Sequence, residues 1–446
     1  MRLISSTFAF FAFAFFVASS AVRAEFPEAN ATTDEVAENF FPELARILAE
    51  LPSKAPLLAE ENLRVEEARA DRLVADSQRG LRISLGANAQ SLNEDRPGAG
   101  YYHRQRFFAS ATILRPLYHW GALRAGSRIA ELSEQSIRAA RDELSLTLAE
   151  RIRGDYLALI LAAYETELAR DSLTGAQAAA EGMQERLRLG LVTELALAET
   201  KTNVLQQSIR LAELERNLLR SRLIFQEDTG GTETLDLNVT AAFRRFAETH
   251  AFATRLPLVI ASPASVSLDN LERSIESENQ RLVVARSSLR PKLNFIGAFY
   301  QDQVDLVDSR SSFERNNLLV GLELDWALFD ARESKGRTRS AHARKLRYEM
   351  QLERETRRLR LELESSREHL LTLAKIIQSR RQLVAAAVDR LEKSQTEFDR
   401  ARITPDQFFA ARLAQDQANL ALLRSVADYL AARARYESHL RPKKGG

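Results

Sequence analysis

The most restrictive feature of this sequence is that it states one plan twice, at a constant spacing of 211 residues. Gly86-Ala87 maps onto Gly297-Ala298, Leu117-Tyr118 onto Leu328-Phe329, and the segment Gly190-Leu191-Val192-Thr193 onto Ala401-Arg402-Ile403-Thr404. Landmarks more than 100 residues apart share the same offset, so no net insertion separates the halves over that span. A repeat of this kind demands a fold built from two equivalent units, each too elongated to bury its own apolar surface.

Each half follows the same order. A helical lead-in (57–79, then 268–289) breaks at Gly80 or Pro291. Period-2 alternation follows: Leu81, Ile83, Leu85, Ala87 and Ala89 alternate with Arg82, Ser84, Asn88 and Gln90. The chain turns through a polar tip (93–100) and returns on Phe107, Ala109, Ala111 and Ile113. In the second half Leu293, Phe295, Gly297 and Phe299 go up, and Leu318, Val320, Leu322, Leu324 and Trp326 come back. These runs predict strands with unlike faces, each about the 9–11 residues of a tilted membrane-barrel strand.

Very long helices come next. No proline occurs from Leu117 to Leu256, and the 68 residues from Arg337 to Thr404 contain neither proline nor glycine. As one helix that stretch would extend about 100 Å, far beyond the helices of ordinary globular domains. Apolar residues recur three and four apart, as at Leu144, Leu148, Ile152 and Leu159 or Leu383, Val384, Val388 and Leu391, which predicts coiled-coil packing.

The first residues set the compartment. A basic start, an apolar run from Phe8 to Val17 and the small-residue end Val22-Arg23-Ala24 read as a secretory signal peptide cleaved after Ala24. Cleavage removes two arginines and no acid, so 63 basic residues become 61 against 61 acids. A neutral chain has no sequence-wide attraction for nucleic acid. With no cysteine there is neither a disulfide framework nor a thiolate metal site.

The chain thus divides into a leader (1–24), a peripheral segment (25–56), a first repeat (57–228), a connection (229–267), a second repeat (268–440) and a tail (441–446). The repeats hold strand hairpins at 81–115 and 292–328 and helical hairpins at 117–228 and 331–440. Four strands cannot close a barrel, and open edges are not tolerated in lipid. If these are membrane strands, the chain must therefore assemble with copies of itself, with its apolar strand positions toward lipid and Ser84, Asn88, Glu323 and Asp325 toward a lumen.

The leader, the duplicated strand hairpin plus long helical hairpin, and the turn Leu189-Gly190-Leu191-Val192-Thr193 resemble the TolC-like outer membrane factor family over about residues 57–440. The resemblance implies a mainly α fold in which duplicated coiled-coil hairpins form a periplasmic tunnel. Four strands per protomer would join a twelve-stranded outer-membrane β-barrel in a homotrimer. It implies an exit duct working with a periplasmic adaptor (membrane fusion) protein and an inner-membrane pump or ABC transporter, in drug efflux, metal efflux or type I secretion.

The family's adaptor-docking tips map to Gly190, Leu191, Val192 and Thr193 and to Ala401, Arg402, Ile403 and Thr404. The second tip departs from the pattern by having Ala401 for the glycine and adding Pro405. The family's constriction carries acids six and nine positions past that glycine. Here those places hold Gln407 and Ala410, with Asp406, Phe408 and Phe409 beside them, so an acidic, cation-selecting ring is not expected.

Other chemistry has little support. The six histidines have no second histidine or cysteine at ligand spacing, and only Met183 and Met350 remain after the leader. No nucleophile-elbow, zincin or phosphate-loop motif occurs, so neither an enzyme nor a cofactor is expected. The competing class is a periplasmic coiled-coil adaptor or scaffold without membrane insertion, which would leave the alternating strands without a role.

Overall fold

The computed structural model of the chain describes residues 37–96, 100–231, 240–252, 265–305, 312–400 and 402–440. The expected leader, the strand tips at 97–99 and 306–311, Ala401 and the tail lie outside the described residues.

The elements run α1 (Ala37–Phe40), α2 (Pro42–Lys54), α3 (Pro56–Ser77), β1 (Arg82–Arg96), β2 (Gly100–Tyr118), α4 (Ala122–Arg188), α5 (Glu194–Thr229) and α6 (Thr240–Thr249). They continue with α7 (Val266–Ser287), β3 (Lys292–Asp305), β4 (Ser312–Asp325), α8 (Glu333–Asp399) and α9 (Pro405–Leu440). The duplication is written in lengths: α4 and α8 have 67 residues each, and α5 and α9 have 36 each. At 1.5 Å per residue the longer pair runs about 100 Å and the shorter about 54 Å. Each long helix packs against a shorter antiparallel partner along one part and a lead-in helix along the other: α4 against α5 and α3, α8 against α9 and α7.

The two sheet-to-helix junctions use the same device. Trp120 and Gly121 (φ 55° and 82°), and Ala331 and Arg332 (φ 48° and 74°), are left-handed pairs immediately before α4 and α8. Three of these four carry a side chain, so neighbouring bonds must hold the conformation. Trp120 Nε1 donates to Pro291 O (2.7 Å), and the Asp330 carboxylate accepts from the backbone N–H of Arg332 (3.1 Å) and of Ser334 (2.8 Å). The Ser334 hydroxyl, with the backbone N–H groups of Ser334 and Arg332, holds the Asp330 carboxyl below its ordinary pKa.

The core lies at the waist. Ile152, Tyr156 and Ile160 of α4, Leu370 and Ile377 of α8, and Leu423, Val426 and Tyr429 of α9 are buried together with Phe225 and Phe243. Residues 37–56 also enter it, which corrects the expectation that the whole segment 25–56 is peripheral. Phe41, Leu44 and Leu51 are buried, and Phe41 meets Tyr156 and Phe243 edge-on. The aromatic pair at 40–41 and the leucines of α2 bury too much apolar surface to stay outside. Gly230 ends α5 at φ 65°, where a Cβ would come within 2.1 Å of Lys54 O, so only glycine lets α5 close onto the end of α2. The connection is likewise not bare, because α6 packs Phe243 and Ala247 into the same core.

Higher up, two buried carboxylates tie the helices together. Glu134 of α4 accepts from Arg72 of α3 (3.1 Å) and from Arg138, and Glu278 of α7 accepts from Arg344 of α8 (3.0 Å) and from Arg281 (2.9 Å). The single chain exposes 30616 Å², whereas a compact monomer of this length would expose about 17,000 Å². Leu383 and Val388, two of the predicted coiled-coil positions, are exposed while Val384 between them is buried. Much of the apolar stripe is therefore exposed in the single chain.

Candidate functional sites

The first site is the sheet. Its order is β1-β2-β3-β4, all antiparallel, so β1 and β4 are both edges. The register aligns the odd positions of β1 and β2 with the odd positions of β3 and the even positions of β4. One row reads Ile83, Ile113, Gly297, Val320 and the next reads Leu85, Ala111, Phe299, Leu318. Along β4 and the residue just past its end this face runs as Leu318, Val320, Leu322, Leu324 and Trp326, every one exposed. Eight residue steps at about 3.4 Å, tilted about 40°, give a band of roughly 21 Å, close to the apolar height of outer-membrane barrels.

The strands have 15, 19, 14 and 14 residues, longer than the expected 9–11. The extra rows carry Gln105, Gln303, Glu314 and Asn316 on the same face, so backbone pairing continues past the apolar band into polar surroundings. The opposite face is mixed, with Leu114, Ile296 and Leu319 set among polar pairs. Ser84 meets Thr112 (2.5 Å), Asn294 donates to Glu323 (3.4 Å), and Arg106 grips Asp302 through two bonds of 2.9 and 2.8 Å. Tyr118, Trp120 and Trp326 cluster at the helical edge of the band, where barrels carry an aromatic girdle.

The second site is the pair of helical tips. At the first, Leu191 N–H donates to Arg186 O (2.9 Å) and Gly190 N–H to Leu187 O (2.9 Å). This is a Schellman end with Gly190 at φ 69°. Thr193 then caps α5, its hydroxyl accepting from Ala196 N–H (3.3 Å). At the second tip Arg402 N–H donates to Glu397 O (2.9 Å), the same bond displaced by 211 residues. Thr404 and Gln407 form a reciprocal capping box (3.1 and 3.3 Å), and Pro405 occupies the first helical position, where its missing N–H costs nothing. The added proline therefore suits the turn.

The tips differ in chemistry. The first presents exposed Leu189, Leu191 and Leu195; the second presents Arg400 and Arg402, both paired with Glu397 at 3.4 Å. Of the constriction candidates, Gln407 is engaged in the cap, Phe408 stacks on Phe398 (5.1 Å, 19°), and Ala410 is exposed. The side chain of Asp406 lies outside the described residues. The Phe398–Phe408 stack escaped sequence reasoning because Phe398 sits in an otherwise charged helix end, although Thr404-x-x-Gln407 carried a legible capping signal. Among the described residues no cluster of histidines and acids could hold a metal, and no helix is long and apolar enough to cross a membrane.

An amphipathic four-stranded sheet mounted on duplicated long helical hairpins is the fold of TolC-like channel protomers. The family model described as outer membrane efflux protein matches residues 47–230, and the fold is that of TolC-like outer membrane channels. No curated protein matches it by sequence. Among solved structures it is similar to CusC, at 14% identity and a TM-score of 0.70, covering 90% of this chain and 92% of that one. It is also similar to the CmeC outer membrane channel of Campylobacter jejuni (15%, 0.69, 92% of each chain). A third is the outer membrane protein VceC of Vibrio cholerae (15%, 0.66, 90% of this chain and 96% of that one).

Proposed function

We propose that this chain is one of three identical protomers of an outer-membrane exit duct in a tripartite efflux or type I secretion system. The observation that carries the reading is the sheet: one face with a continuous apolar band, the other bearing the polar and ionic pairs, and two unpaired edges. Pairing β1 of one copy with β4 of the next closes twelve strands into a barrel with its apolar rows toward lipid and Arg106, Asp302 and Glu323 toward water. The same assembly covers the exposed stripes of the long helices and extends them as a tunnel through the periplasm. A periplasmic scaffold without membrane insertion would leave the apolar rows from Leu81 to Trp326 in water.

In this assembly the two repeats, 57–228 and 268–440, supply equivalent staves joined by the connection 229–267. The tips around Gly190 to Thr193 and Arg402 to Thr404 face the inner membrane and dock a periplasmic adaptor, itself joined to a pump or ABC transporter. The first tip offers leucines and the second arginines, so two different patches of the adaptor meet them. The stacked Phe408, with Asp406, Gln407 and Ala410 beside it, lines the narrow end. The chain has no cysteine, so photo-crosslinkers attached at single cysteines replacing Leu191 or Arg402 test the placement in cells. Capture of a periplasmic or inner-membrane protein supports it; capture of outer-membrane neighbours alone overturns it.

A further inference from the structure

One residue of the apolar face breaks its pattern. Arg115 shares that face with Ile113 and pairs across the sheet with Phe295, which in turn pairs with Leu322. It is exposed and in no ion pair among the described residues. The nearest carboxylate in these rows of β4 is Glu314, eight residues beyond Leu322, or roughly 27 Å along the strand. β2 is an interior strand flanked by β1 and β3 of the same chain, so a neighbouring copy pairing at the edges brings no acid beside it.

A second cation stands at the same edge. The strand irregularity after Pro116 puts Tyr118 opposite Leu293, on the face of Arg115. Tyr118 meets Trp120 edge-on at 4.9 Å, and the Arg290 guanidinium lies 4.7 Å from the Trp120 ring centroid. Arg290 is also exposed and outside any ion pair among the described residues. Trp120 is fixed by its bond to Pro291 O, so the stack holds Arg290 in place while leaving its N–H groups free at the ring edge.

This cluster lies where the apolar band ends and the helices begin, a level that headgroups occupy if the proposed barrel reading holds, on which the inference rests. The segments at that level, 76–82, 115–131, 286–292 and 323–339, together hold twelve arginines and lysines against six acids, in a chain otherwise balanced. A cation on a lipid-facing surface is costly unless its guanidinium reaches the interface and finds a counter-ion. We infer that Arg115 and Arg290, framed by Tyr118 and Trp120, bind the phosphate of an anionic glycerophospholipid in the periplasmic leaflet of the outer membrane.

The two tryptophans of the chain make the test direct, because W326F leaves Trp120 as the sole emitter. The full-length W326F protein is reconstituted in vesicles containing brominated phosphatidylglycerol or brominated phosphatidylcholine, and quenching of Trp120 is compared. Phosphatidylglycerol should quench about fivefold more effectively per cation engaged. W326F/R115Q should lower that preference, W326F/R115K should retain it, and W326F/R115Q/R290Q should bring it to unity. Removing a charge from the lipid face should not impair folding, and continued quenching by phosphatidylcholine reports that the barrel is still inserted. Equal quenching of the W326F protein by both lipids overturns the lipid site while leaving membrane insertion intact. No quenching by either lipid overturns the barrel reading itself.

Discussion

Replacing Val320 with arginine places a charge at the centre of the proposed lipid face. Val320 shares its row with Ile83, Ile113 and Gly297, three rows from Trp326 at one end and three from Glu314 at the other. An arginine at the midplane of such a barrel costs about 2–4 kcal/mol per copy, so a trimer loses about 6–12 kcal/mol. Leu319, one residue away at the same depth, pairs with Ala298 in the row of Ser84 and Thr112 on the opposite face. Leu319→Arg therefore exchanges an apolar group for a hydrated one in a water-filled lumen and should cost about 1 kcal/mol or less per copy. The assay is the temperature at which trimers in outer-membrane preparations dissociate, read on unheated and progressively heated samples. Val320→Arg should abolish trimers or lower that temperature by far more than Leu319→Arg. Equal effects, or the reverse order, would refute the assignment of faces.

Three further outcomes follow from local geometry. Glu278→Gln removes the carboxylate shared by Arg281 and Arg344 at a site 2% exposed; both arginines reach solvent, so thermal unfolding should report a loss of about 1–3 kcal/mol rather than the full penalty of a buried broken pair. Thr404→Ala breaks one arm of the capping box and should cost about 1 kcal/mol, seen as faster hydrogen exchange at the start of α9 with the waist unchanged. Asp416 has its pKa raised first by burial and then by Asp171; its folded form binds the proton more tightly than the unfolded chain, so the ionised side chain lowers stability at neutral pH. Asp416→Asn should then unfold at a higher temperature than the wild type near pH 7. The difference should shrink as pH falls through the raised carboxylate range, and an unchanged difference across that range would contradict the assignment.

Much of the architecture was legible because it is periodic. The offset of 211 residues located the equivalent hairpins and tips, the proline-free stretches marked the long helices, and period-2 alternation assigned strand faces that the register preserves. What was missed depends on packing without period. Phe41, Leu44 and Leu51 look like a short amphipathic lead-in, and only the proximity of Tyr156 and Phe243 makes them core. The helix α6 was hidden between prolines and glycines that read as a connection. Strand ends past the apolar band are polar on both faces, so alternation fell silent while backbone pairing continued. At the second tip, a family pattern pointed to Gln407 by spacing, but its local bond to Thr404 follows from helix-start chemistry and constrains its side chain first.

The central claim is that strands with open edges must close between copies in the outer membrane. The most direct measurement is the mass and location of the mature, full-length chain after cell fractionation, with samples compared before and after heating. The account predicts a trimer in the outer-membrane fraction that heating converts to monomer. A soluble monomer released with the periplasm would contradict it.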